Sequence, residues 1–99
     1  MGERLIIWKE QPLEYIRQIA NYLIEEFSAS AADKFLDKVS NKVDRIAAYP
    51  ESGQITRFKN VRRLKVDKYH SIYYRSQGNK IFIIFMWDGR QNPQKNPYE

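Results

Sequence analysis

Ninety-nine residues make one domain with one core, and 42% hydrophobic with 14% aromatic side chains suffice to fold it without a covalent staple, which argues against intrinsic disorder. The absence of cysteine excludes disulfides, thiol nucleophiles and thiolate-based zinc sites, and fits a reducing compartment. The net charge of +5 is uneven: residues 1–56 hold seven Lys and Arg against nine Asp and Glu, and residues 57–99 hold ten against three, so attraction for an anionic partner belongs to the second half.

Arg4 to Trp8 is a short β-prone run closed by Gln11-Pro12. Pro12 suits a first helical turn, where its missing N–H costs nothing. Leu13, Ile16, Ala20, Leu23 and Phe27 follow at helical spacing, with Ile19 and Ile24 widening the stripe, and predict a helix over about 12–27. Ser28-Ala29-Ser30 interrupts it. Ser30, with Asp33 three residues on, is placed to cap a second helix. Phe35, Leu36, Val39, Val43, Ile46 and Ala47 make that helix's apolar face, and Tyr49-Pro50 ends it. So short a connection folds the helices back as a hairpin.

Pro50 to Gly53 is a turn, and residues 54–59 are a loop or the start of a strand. Val61–Val66 is a strand, Asp67-Lys68 a reversal, and Tyr69–Arg75 a second strand. Ser76 to Asn79 is a hairpin turn, and Lys80–Trp87 is a strand whose unbroken apolar run predicts an interior place with both faces covered. The Pro- and Asn-containing tail after Asp88 reads as irregular. That run, Ile81 to Trp87, is too short to span a bilayer, and Met1 to Ile6 shows neither a signal core nor a myristoylation pattern; a soluble, cytoplasmic protein without membrane contact is expected. The fold class is α+β: a strand, an antiparallel two-helix hairpin, then a three-stranded antiparallel meander, with the helices on one sheet face and the other open.

Strand alternation assigns the side chains. With Leu64 and Val66 inward, Arg63 and Lys65 point out. With Ile72 and Tyr74 inward, Ser71, Tyr73 and Arg75 join them. Arg90 follows the last strand and can fold over the same edge. Such a basic surface with a phenol in it suits a phosphate backbone and a stacked base. Arg62, Arg63, Lys65, Arg75 and Arg90 are the candidate target- or nucleic-acid-binding residues. His70 stands alone, so neither a serine–histidine triad nor a multi-histidine metal site can be assembled, and neither metal nor cofactor is expected. It reads as structural, with general-acid work as the sharper alternative. Glu25, Glu26, Asp33, Asp37 and Asp44 read as local partners for Lys34, Lys38, Lys42 and Arg45. Trp8 and Trp87 read as core or edge packing.

Several strings in order, Ile19-Ala20-Asn21-Tyr22-Leu23, Ala31-Ala32-Asp33-Lys34-Phe35, Tyr49-Pro50-Glu51-Ser52-Gly53, Val61-Arg62-Arg63-Leu64-Lys65-Val66, Tyr69-His70-Ser71-Ile72-Tyr73-Tyr74-Arg75 and Asp88-Gly89-Arg90-Gln91-Asn92-Pro93, resemble the RelE/ParE superfamily of toxins from type II toxin–antitoxin pairs. The resemblance spans nearly the whole chain. It implies a compact α+β toxin neutralised by a cognate antitoxin, with one of two targets. RelE-like members cut mRNA on the ribosome with basic residues of the open face; ParE-like members inhibit DNA gyrase by binding. On the first alternative the cleaving set would be Arg63, Lys65, His70, Tyr73 and Arg90, with Tyr98 near a C-terminal tyrosine position. The family's middle-strand arginine falls on Ser71, or on His70 one residue out of register, and loss of such a positioned cation typically costs about 10²–10³-fold in rate. The long hairpin and the Tyr69–Arg75 string look more ParE-like.

Overall fold

The computed structural model describes residues 4–99. The reading of Met1 to Glu3 as free of a leader or lipidation signal lies outside the described residues. Leu5–Trp8 is β1, Glu10–Glu26 is α1 and Ala29–Ala48 is α2. They are followed by β2 (Gln54–Ile55), β3 (Val61–Lys65), β4 (His70–Gln77) and β5 (Lys80–Asp88). The meander is therefore the middle of a larger sheet. Its order is β1-β5-β4-β3-β2, with β1 parallel to β5 and the other pairs antiparallel.

Pro12 lies in the first turn of α1 and is buried. Beside it, Gln11 donates its side-chain amide to the Met86 carbonyl (3.0 Å) and accepts from the Met86 amide (2.8 Å). A side chain thus extends the β1–β5 ladder beyond the last residue of β1. Tyr15, Ile16, Ile19 and Leu23 pack against the core, but Leu13, Ile24 and Phe27, expected on the same stripe, are exposed. Leu13 and Ile24 lie about three turns apart, one above the other, on a flank that neither α2 nor the sheet covers.

Ser28, not Ser30, caps α2: its hydroxyl accepts from the Ala31 amide at 3.1 Å. The capping box fails because α1 runs to Glu26, so α2 begins two residues earlier than predicted and Ala31 occupies the position meant for the acid. Ala32, Phe35, Val39, Val43 and Ile46 are buried at helical spacing, whereas Leu36 stays exposed. Among the described residues the helix surfaces hold one ion pair, Arg17 with Glu14; the pairings foreseen for Glu25, Glu26, Asp33, Asp37 and Asp44 are not formed. In the middle of β4, Tyr74 is fully buried, and its hydroxyl accepts from the Gly53 amide (2.9 Å) and donates to the Pro50 carbonyl (2.6 Å). No side chain larger than hydrogen fits at Gly53, since a Cβ there would lie 2.5 Å from that hydroxyl.

The core joins these α2 residues to Val66, Ile72, Tyr74, Ile81, Ile83 and Met86. Inward residues of β5 run 81, 83, 86 because a bulge intervenes: Tyr73 pairs with Phe85 but Tyr74 with Ile83, leaving Ile84 without a partner across the ladder. One extra residue flips the parity, a change that the sequence hides because the residues of both faces are apolar. Phe82, Phe85 and Trp87 are half-buried, and Phe85 and Trp87 stack at 6.2 Å. Trp8 packs against the core, as an edge residue should.

Candidate functional site

Alternation on β3 is as predicted. Val66 is buried, Leu64 packs on the core, and Arg63 and Lys65 lie on the other side. The sheet face they share is not open, however. After a short 3-10 turn at Pro93–Lys95, the tail crosses it. Tyr98 stacks on Tyr73 (5.4 Å, 25°) and meets Phe58 and Phe85. Asn96, 3% exposed, donates to the Tyr73 hydroxyl (3.0 Å), which donates to the Glu99 carboxylate (2.6 Å). Glu99 also lies 3.6 Å from Arg63, whose guanidinium donates to Gln54. Tyr73, expected on an open surface, is only 1% exposed. Burial and the Glu99 carboxylate push its phenol above the ordinary range, so at neutral pH it holds its proton.

The other candidates are dispersed. Arg90 does not fold over Arg63 and Lys65: its guanidinium pairs with Asp88 (2.7 Å) and lies 4.2 Å over the ring of Tyr69. His70 is on the helix side. Its ring meets Tyr15 and Phe35 edge-on, at 5.9 and 5.2 Å, and its Nδ1 is 3.0 Å from both oxygens of Asp67. Burial pushes the Tyr15 phenol up, and the carboxylates of Asp88 and Asp67 add to it. Arg75 lies over Phe82 at 5.1 Å, with its Nε buried and unpartnered among the described residues. Ser71 faces outward but is 8% exposed. Of this set Lys65 and Arg90 are exposed, and Arg90 is held by Asp88.

Charge converges elsewhere. A cleft of about 650 Å³ opens between the β2–β3 loop and Arg4. Arg4, Arg57, Lys59 and Arg62 line it against a single acid, Glu51, with Ile55 and Phe58 as its apolar wall. Arg62 is fixed there by the carbonyls of Gly53 (2.9 Å) and Glu51 (3.3 Å), and Arg4 by that of Ala47 (2.8 Å). Of the four cations only Arg62 was foreseen as a binding residue. The missed signal was local: residues 57–65 hold five cations and no acid. Arg4 lay beyond sequence reasoning, because its approach depends on β1 pairing with β5. The other exposed feature is apolar. Leu13, Ile24, Phe27 and Leu36 on the two helices are 40–69% exposed.

Residues 6–93 match the family model described as the ParE toxin of the type II toxin–antitoxin system, parDE. The chain is 30% identical over 95 residues to a Sinorhizobium fredii protein named "Putative toxin Y4kP", covering 95% of this chain and 98% of that one. Its fold is similar to a chain of the structure described as "Chromosomal ParDE TA system from P. aeruginosa", with a TM-score of 0.73, 17% identity, and coverage of 87% of this chain and 96% of that chain.

Proposed function

The chain belongs to the ParE toxin family of type II toxin–antitoxin systems, and from that footing we propose that it arrests growth by binding DNA gyrase and is neutralised by a cognate antitoxin. The observation that favours binding over RNA cleavage is the scattering of the would-be cleaving groups. RNA cleavage needs a cation at the phosphorane and a proton donor at the leaving oxygen in one place. Here Tyr73 is sealed under the tail, His70 faces the helices, Arg90 is neutralised by Asp88, and Arg63 meets Glu99. A protein that acts by surface complementarity needs none of these assembled. Arg62, Lys65 and Arg75 then contribute to target contact through charge. The antitoxin engages the apolar flank of the hairpin with a segment that folds on contact, its acidic residues turned toward the basic half.

Induction in a sensitive bacterium, with the purified protein added to a gyrase supercoiling reaction, tests this. Gyrase inhibition gives filamentation and a DNA-damage response with translation still running, loss of supercoiling in vitro, and recovery when the adjacent antitoxin frame is co-expressed. Arrest of protein synthesis within minutes, with cuts in ribosome-bound messages, would instead establish the endonuclease. Unimpaired growth would dispose of both.

A further inference from the structure

We propose that the cleft between the β2–β3 loop and Arg4 is a binding site for the phosphate backbone of duplex DNA. Four cations line it against one carboxylate, and Arg57 and Lys59 have no ion-pair partner among the described residues. The loop that carries them is held open by its own bonds. The Thr56 hydroxyl accepts from the Phe58 amide (3.1 Å) and donates to the Val61 carbonyl (2.9 Å), and Asn60 takes a left-handed φ of 68° to close the turn. Arg57 and Lys59 are exposed at its tip and pack in no core, so the loop backbone is pinned while neither charge is met by an acid among the described residues. Arg62 commits only Nη1 to carbonyls. A rigid, unpaired cluster of cations is suited to a regular polyanion, where each phosphate contact releases a counterion.

Duplex is favoured over single-stranded nucleic acid because the one exposed ring of the cleft, Phe58, is already engaged. Arg57 sits 4.9 Å over the ring of Phe58, and Tyr98 meets that ring at 5.6 Å and 75°. Tyr74, the other ring of the lining, is fully buried with its hydroxyl committed. Unpaired bases need a platform to stack on; a duplex backbone does not. The site is independent of the gyrase reading in its chemistry, and it extends that reading by giving the toxin a hold on the DNA that gyrase acts on.

The test is fluorescence anisotropy of a labelled 20-base-pair duplex with the whole protein, from low to moderate salt. The pair Arg57→Gln/Lys59→Gln should weaken binding at least tenfold at low salt and make the log–log salt slope shallower by about 2, at roughly 0.9 per phosphate contact. The control pair Lys34→Gln/Lys38→Gln, on the exposed face of α2, should leave both unchanged, and thermal melts verify that every variant is folded. Equal losses in the two pairs, or none, would overturn the site. So would tighter binding of a single strand of the same length, or an acidic peptide whose affinity, unlike that of the duplex, falls with Arg57 and Lys59. Because duplex binding is read on the toxin alone, failure to inhibit gyrase leaves it standing, and duplex binding indifferent to the loop leaves the gyrase reading standing.

Discussion

Tyr74 is where the turn after α2 is tied to the sheet. Its hydroxyl serves a buried donor, the Gly53 amide, and a half-buried acceptor, the Pro50 carbonyl. Tyr74→Phe would keep the packing and strand the Gly53 amide and Pro50 carbonyl, which should lower stability by about 1–3 kcal/mol. Chemical denaturation checks this; a change below about 0.5 kcal/mol would mean that the turn relaxes to find other partners. Tyr73, one residue earlier, has the opposite fate: it leaves the main core and makes a second, smaller one with Tyr98 and Phe85. Adjacent tyrosines of one strand thus face different partners. The alternation that separates them was legible in the sequence, and the same parity turns His70, a candidate for the cleaving set, inward with Ile72 and Tyr74. Burial of Tyr73 was not legible, because what covers it arrives from a polar tail with no periodicity to announce it.

Among the elements, α2 gives a sharp discrimination between two neighbouring serines. Ser28→Ala should cost about 1 kcal/mol, the usual worth of an N-cap, whereas Ser30→Ala, inside the first turn, should cost no more than a few tenths. Thermal melts of the two variants decide it, and equal shifts would mean that the cap contributes nothing. The helix existed in the sequence as a run of 3- and 4-residue spacings; its start did not, because three candidate breakers stood side by side and only the end of α1 chooses among them. The apolar stripes were overestimated for a related reason. Leu13, Ile24, Phe27 and Leu36 satisfy helical spacing, but a helix packed on one sheet face and one neighbour has room for fewer residues than the pattern offers. At β5 the apolar run was a true sign of an interior strand, which lies between β1 and β4 with Phe82, Phe85 and Trp87 half-buried on its outer face; only the bulge at Ile84 was hidden, since a run apolar on both faces gives no parity to follow.

For the whole molecule, the acid limb of stability follows from one end of the sheet. Burial raises the Asp67 carboxyl, but hydrogen bonds from the His70 ring and from the amides of His70 and Tyr69 outweigh this and hold it below its ordinary range. Hydrogen bonding from Arg90 does the same for Asp88, which lies opposite His70 in the ladder. Both groups release their protons more readily in the folded chain than in the unfolded one. Their stabilisation is therefore complete above the unfolded carboxyl value, roughly 4, and is lost as the pH falls through the lower folded values. The melting temperature should fall steeply below about pH 4, and Asp67→Asn/Asp88→Asn should melt lower at pH 7 with a flatter acid limb. Parallel curves for the two proteins would show that neither carboxylate is linked to folding.

The place of β5 has a consequence for the life of the chain. It is the strand that pairs with β1 on one side and β4 on the other, yet it follows both in sequence. A nascent polypeptide leaves the ribosome with its first strand, its helices and two further strands before the piece that unites them has been translated. No shorter prefix can close the sheet: until β5 is made, β1 has no strand to pair with and β4 lacks its inner neighbour.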